Sequence, residues 1–228
     1  MKILIHSLLL VFVLISGHVY ADSFNTPVET NLSNKLSELQ KLSDQGNVYA
    51  QYYLGRMYYF GIGVPNDDID DAQALHWFRK AADQGHAEAQ YYLGIYYVLG
   101  NVVPEDDAQA LHWFRKAADQ GHADAQYYLG YTYDTGEKIP KDDAQALHWY
   151  RKAADQGHAR AQTNLGVMYA TGEGVPKDEE IAYFWYLLSS AQGYKDAVKL
   201  RDLIEKIITP QQRANAQAAA RVWKPKKN

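Results

Sequence analysis

The stretch Asp70–Ala87, DDAQALHWFRKAADQGHA, recurs letter for letter at Asp106–Ala123 and returns at Asp142–Ala159 with Tyr150 in place of a phenylalanine. Within the middle copy, Ala110, Trp113, Phe114, Ala117 and Ala118 follow the three-and-four spacing of an amphipathic helix. Asp106 and Asp107 complement the positive end of that helix's dipole, and Arg115 and Lys116 the negative end. Gly121 suits a left-handed turn just past it. A catalytic group is normally single, so a segment written three times reads as scaffold.

Working outward, Trp77, Trp113, Trp149 and Trp185 are spaced by 36 residues, as are Gly85, Gly121, Gly157 and Gly193. Between the copies lies a second helical pattern. Ala89, Tyr92, Leu93, Tyr96 and Tyr97 form its stripe, which Gly100 and Pro104 then break. Gly94, Gly130 and Gly166 keep the same step, while the loop after Pro65 is three residues longer, which sets Gly55 back. The spacing predicts four helix pairs, at 47–86, 87–122, 123–158 and 159–194. Alternating alanine with large aromatics lets helices approach closely while a ring from the next helix fills the space. A lone pair cannot bury its stripe, so the pairs must stack.

The flanks read as caps. Upstream, LSELQKLSDQGN mimics a second helix, so 22–46 is expected to be an N-terminal segment, loose to about Asn31, followed by a capping helix. Downstream, 195–228 is expected to hold closing helices at Lys195–Ile208 and Pro210–Trp223, then a basic tail. Thr209 is the N-cap of the second and Pro210 its first residue.

The residues Ala89, Leu93-Gly94, Tyr97, Gly100, Pro104, Ala110, Trp113, Ala117-Ala118 and Gly121 resemble the Sel-1-like repeat, a relative of the tetratricopeptide repeat, and the resemblance covers Asn47 to Tyr194. One loop glycine of that pattern is present as Gly63 and Gly174 but is Val102 and Lys138 in the middle units. The resemblance implies an all-α, right-handed α/α superhelical solenoid whose first helices line a concave surface. It also implies an adaptor rather than an enzyme. Relatives linked to β-lactam chemistry are cysteine-rich, and this chain has no Cys and no S-x-x-K.

The opening MKILIHSLLLVFVLISGHVYA reads as a cleavable leader: Lys2, an apolar run from Ile3 to Ile15, and a small-residue site ending at Ala21. The run is shorter than the roughly 20 residues a bilayer-spanning helix needs. We therefore expect cleavage after Ala21, a periplasmic or secreted chain, and no stable membrane span after cleavage. A net charge of −4 disfavours non-specific nucleic-acid binding, and the absence of Cys excludes disulfides and thiolate metal sites.

The six histidines of the repeats come as copies, His76, His112 and His148 at one register and His86, His122 and His158 at another, and are read as solvated or capping groups rather than metal ligands or bases. The Asp-Asp pairs at 67–68, 70–71, 106–107 and 142–143 fall where helices start and are read as dipole partners. No catalytic motif, cofactor site or metal site is expected. The 19 tyrosines are the compositional anomaly. Positions off the first-helix stripe read Tyr52, Tyr91, Tyr127 and Thr163; then Arg56, Ile95, Tyr131 and Val167; then Tyr59, Val98, Asp134 and Ala170. The second helices are nearly identical while these positions differ, as a diversified binding groove requires. Tyr52, Arg56, Tyr59, Tyr91, Ile95, Val98, Tyr127, Tyr131 and Asp134 are therefore the candidate groove for a protein or peptide partner of a monomeric adaptor. The alternatives are a periplasmic immunity protein that neutralises a toxic effector, and a cell-wall or β-lactam-related ligand binder or enzyme.

Overall fold

The computed structural model describes residues 28–64 and 68–226. The expected leader, the residues that follow it to position 27, and Pro65 and Asp67 lie outside these. Among the described residues there are eleven α-helices and no strand, divided between two compact units, Met1–Asp106 and Asp107–Asn228.

The first unit holds α1 (Val28–Asp44), α2 (Val48–Phe60), α3 (Asp71–Asp83) and α4 (Ala87–Leu99). The second holds α5 (Asp107–Asp119), α6 (Ala123–Thr135), α7 (Asp143–Asp155), α8 (Ala159–Thr171), α9 (Glu179–Ala191), α10 (Lys195–Ile204) and α11 (Pro210–Val222). Within each unit consecutive helices pack on one another, up to α10 on α9, and α11 returns to pack on α9. Two boundaries differ from the sequence expectation. The segment expected to stay loose to Asn31 is helical from Val28, in step with the spacing of Val28, Leu32, Leu36 and Leu39. The helix expected to reach Ile208 ends at Ile204, and Lys206 and Ile207 form tighter bonds back to Leu203 and Ile204. Pro210 follows closely, and proline keeps the residue before it out of the helical region.

Capping explains why the pairs begin where they do. Second helices start at an aspartate whose carboxylate accepts a backbone N–H three residues on: Asp70 from Gln73 at 2.9 Å, Asp142 from Gln145 at 3.0 Å, Asp178 from Ile181 at 2.9 Å. Asp70 and Asp142, the first members of their pairs, are thus caps, and Asp71 and Asp143 lie in the first turn, where they meet the dipole; Asp68 lies in the loop before α3 and starts no helix. First helices of the later repeats start instead at histidine. The Nδ1 atoms of His86, His122 and His158 accept from Ala89, Ala125 and Ala161 at 3.4, 3.2 and 3.1 Å. Gly100 and Gly136 close α4 and α6 at φ 65° and 68°, a conformation that side chains disfavour.

Each unit's core is layered from repeated contacts. Ala50, Ala89, Ala125 and Ala161 are fully buried, as are Leu54, Leu93, Leu129 and Leu165. Phe78 stacks on Tyr92 at 4.6 Å, and Phe114 packs on Tyr128 at 4.1 Å. A glutamine ladder ties helix to helix. Gln51, Gln126 and Gln162 donate to the carbonyls of Ser43, Ala118 and Ala154 at 3.0, 2.9 and 3.2 Å. Their side-chain oxygens accept in turn from Gln84, Gln156 and Gln192 at 2.6, 2.7 and 2.9 Å. Both ends of each buried amide are thus satisfied, which low-dielectric burial requires. Outside, Lys80, Lys116 and Lys152 lie 4.5, 4.4 and 4.6 Å from the rings of Trp77, Trp113 and Trp149, shielding indoles that the alanine stripe leaves near the surface.

Candidate partner-binding faces

The candidate groove residues fall on α2 and α4 of the first unit and on α6 of the second, so each unit presents its own face. On α2, the Arg56 guanidinium lies between two rings, 5.7 Å from Tyr52 and 5.6 Å from Phe60. Its Nε is buried with no acceptor among the described residues. Tyr59 stands edge-on to Tyr92 at 5.2 Å and to Phe60 at 4.9 Å. Tyr91, Ile95 and Val98 are half-buried on α4, where the Tyr91 ring stands 5.8 Å from Tyr92.

Tyr52 departs from its expected place at the surface. It is only 8% exposed because His86 stacks on it at 4.3 Å and 24°. Burial raises its phenol pKa, against the opposing pull of Arg56. The helix-capping imidazole thus covers the position that the helical stripe left open.

The second unit repeats this arrangement with different outcomes. Tyr127 stacks on His158 at 4.7 Å and 22°, and burial raises its pKa while Arg160 pulls it down. His158 Nε2 is 3.1 Å from Asp124 Oδ1, and this bond holds the Asp124 carboxyl below its usual range. Tyr131 is 41% exposed, its ring 6.4 Å from Tyr127. Asp134 is drawn inward: the fully buried Tyr150 donates its hydroxyl to Asp134 Oδ2 at 3.1 Å and accepts from Asn164 Nδ2 at 2.8 Å. Burial raises the Asp134 pKa, and the Tyr150 hydrogen bond opposes it. Asp134 therefore belongs to an internal polar contact. What the faces offer outward is ring surface, phenol hydroxyls and the guanidinium groups of Arg56 and Arg160, which is recognition chemistry.

Residues 48–86, 87–122, 123–158 and 159–194 each match the Sel1 repeat. The chain belongs to the Sel1-repeat family. A protective antigen present in uropathogenic Escherichia coli strains, whose crystal structure displays this fold, is 34% identical, with a TM-score of 0.74 over 96% of this chain. The chain spans 45% of that protein's length. A Sel1 repeat protein from Oxalobacter formigenes is also 34% identical, with a TM-score of 0.63 over 76% of this chain and 72% of that one. A search of curated proteins gives no match. Sel1-repeat proteins are generally non-catalytic scaffolds that mediate protein–protein interaction.

Sequence reasoning missed three residues of these Sel1 faces. Tyr49, 59% exposed and edge-on to His86 at 5.4 Å, and Phe60, 45% exposed, lie outside the three registers compared. Arg160 shares a register with Glu88 and Asp124, so a charge reversal across aligned repeats was the available signal.

Proposed function

We propose that this chain is an exported, non-catalytic Sel1-repeat protein that holds a protein or peptide partner on the tyrosine-rich faces of its first helices, as an adaptor. One observation carries the reading. Within the repeats, the large hydrophobic side chains exposed on helices, Tyr49, Phe60, Leu99 and Tyr131, are all on first helices, while the nearly identical second helices α3, α5, α7 and α9 expose none among the described residues. Exposed aromatics beside a partly desolvated arginine are the side chains that anchor interfaces.

The test is capture from an envelope extract by the wild-type chain, beside separate Phe60→Ala and Tyr131→Ala variants. A specific protein retained by the wild type and lost with either variant, at unchanged melting temperature, supports the reading. Identical retention by all three removes the faces from the account. If the captured protein is an enzyme that loses activity in the complex, the role is inhibition rather than scaffolding. Export rests on the leader, and a mass measurement on chain recovered from the periplasm checks it: the proposed product starts at Asp22.

A further inference from the structure

The thrice-written segment carries a second surface, and in its Asp142–Ala159 copy the end of the chain is seated there. As α11 packs on α9, Gln217 Nε2 donates to the Tyr183 hydroxyl at 3.4 Å. Ala220 and Trp223 join the apolar cluster to which Leu147 and Val175 belong. Beyond Trp223 the chain crosses the end of α7. The Lys226 N–H donates to the Asp155 carbonyl at 2.8 Å, and Lys226 Nζ meets the Asp155 carboxylate at 2.6 Å. A Cβ on Gly157 would lie 3.4 Å from Pro225 and 3.8 Å from Trp223, so the bare glycine lets the tail lie close.

The Asp106–Ala123 copy differs from the Asp142–Ala159 copy only in Phe114 for Tyr150, and there a cleft of about 710 Å³ opens within the second unit. Leu111, Asp119 and Ile139 line it. They stand one 36-residue step before Leu147, Asp155 and Val175, the positions associated with the tail in the next copy. The basic groups of the lining are engaged. Arg115 donates to the Tyr133 hydroxyl at 2.9 Å, Lys116 lies over Trp113, and Lys141 pairs with Asp143 at 3.2 Å and Glu173 at 3.6 Å. The Asp142 carboxylate caps α7. The Asp119 carboxylate is exposed and acts electrostatically on His148, one repeat on. The cleft therefore presents two apolar side chains and a carboxylate at the registers of Leu147, Val175 and Asp155; one repeat later Trp223 packs against the same cluster as Leu147 and Val175, and Lys226 meets Asp155.

We infer that this cleft is a second recognition site, separate from the first-helix faces, and that it takes a segment of another protein built like this chain's own tail: an indole, then proline and lysine. The ring packs toward Leu111 and Ile139, and the lysine ammonium meets Asp119. The chain's own tail is held at Asp155 by its short tether, which gives that seat a high effective concentration and leaves the earlier cleft to a partner.

The probe is a labelled peptide of residues Ala220–Asn228, titrated with the full chain by fluorescence anisotropy. We expect saturable one-to-one binding, weakened about tenfold or more by Asp119→Lys, or by alanine for Trp223 in the peptide. Tyr131→Ala should leave it unchanged, so failure here is distinguishable from failure of the first-helix reading. Asp119 is exposed, and an unchanged circular dichroism melt shows that the variant is folded. Absence of saturable binding, or equal binding by Asp119→Lys, overturns the assignment. Concentration-dependent dimers that disappear in Trp223→Ala also overturn it, because the occupant would then be a second copy.

Discussion

Replacing Tyr150 by phenylalanine, the residue at positions 78 and 114, removes one oxygen and leaves the ring where its counterparts pack. Tyr150 is fully buried, and its hydroxyl joins Asp134 at 3.1 Å to Asn164 at 2.8 Å. A hydrogen bond to a charged group contributes about 1.5–3 kcal/mol and a neutral one about 0.5–1.5 kcal/mol. The two share one atom, and the freed groups are half-buried and partly rehydrate, so the expected loss at pH 7 is about 2 kcal/mol. For a chain of this size that corresponds to a fall in Tm of about 4–8 °C. The loss should also depend on pH. Burial raises the Asp134 pKa in the folded state, so its charge costs stability at neutral pH and the cost is relieved as pH falls through the raised value. The tyrosine hydroxyl opposes that rise, so removing it pushes the pKa higher still. The Phe variant then recovers more stability on acidification than the wild type, and the gap between them narrows. Urea unfolding at about pH 7 and about pH 4, with m-values compared, measures this. A loss below about 0.5 kcal/mol, or an equal loss at both pH values, would refute the assigned bond to an ionised Asp134. In an Asp134→Asn background the pH dependence of the Tyr150→Phe effect should vanish.

Gly130→Ala gains about 1 kcal/mol of helix propensity, but its Cβ would meet Tyr150 Cδ1 at 2.5 Å, and that ring is held by two hydrogen bonds. We expect a net loss of about 1–3 kcal/mol in thermal melts, and an equally stable variant would contradict the close approach. His158→Ala should cost about 1–2 kcal/mol, and His158→Asn should recover most of it by restoring a cap; an Asn variant as weak as the Ala variant would show that the cap is not what matters. Burial raises the pKa of Tyr52, Tyr96 and Tyr150, and that of Tyr186 to about 12. Their contribution is complete below the ordinary tyrosine pKa of about 10 and is lost as pH rises through the folded values. Denaturant midpoints should therefore fall above about pH 10, and midpoints flat into that range would contradict the burial.

The helix pairs were legible because the signal that sets them is repeated. Trp77, Trp113, Trp149 and Trp185 fix the step, and the alanine stripes fix the buried side. The faces were legible only in part. A single helix's stripe shows which side chains point away from its own core contact; it does not show what a neighbouring residue lays over them. Tyr52 was placed at the surface by its position on α2 and is covered by His86, the cap of α4. Asp134 was placed with it and is bonded to Tyr150 of the next helix. The tail's seat on Asp155 joins residues 71 positions apart, a separation no local pattern encodes.

The single change in the thrice-written segment separates two kinds of variation on the first helices. Where the ring is Phe78, its neighbours are the rings of Tyr59 at 6.2 Å and Tyr92 at 4.6 Å. Where the ring gains a hydroxyl as Tyr150, the residues at those same two registers are Asp134 and Asn164, and both bond to it. Three positions on three helices change together because a buried phenol needs a partner for its proton and for its lone pair. The difference between Tyr59 and Asp134 is thus required by the core and carries no information about a ligand. The exposed Phe60 and Tyr131 are not explained in that way. Phe60 leaves ring surface to water on α2, and Tyr131 does so on α6, at the register where α2 has Arg56 and α4 has Ile95. Variation that packing does not require, at positions where exposed aromatic area is unfavourable, is the pattern expected of residues kept for a partner. Alanine at either position should therefore leave folding intact and remove binding, whereas alanine at Asp134 should do the reverse.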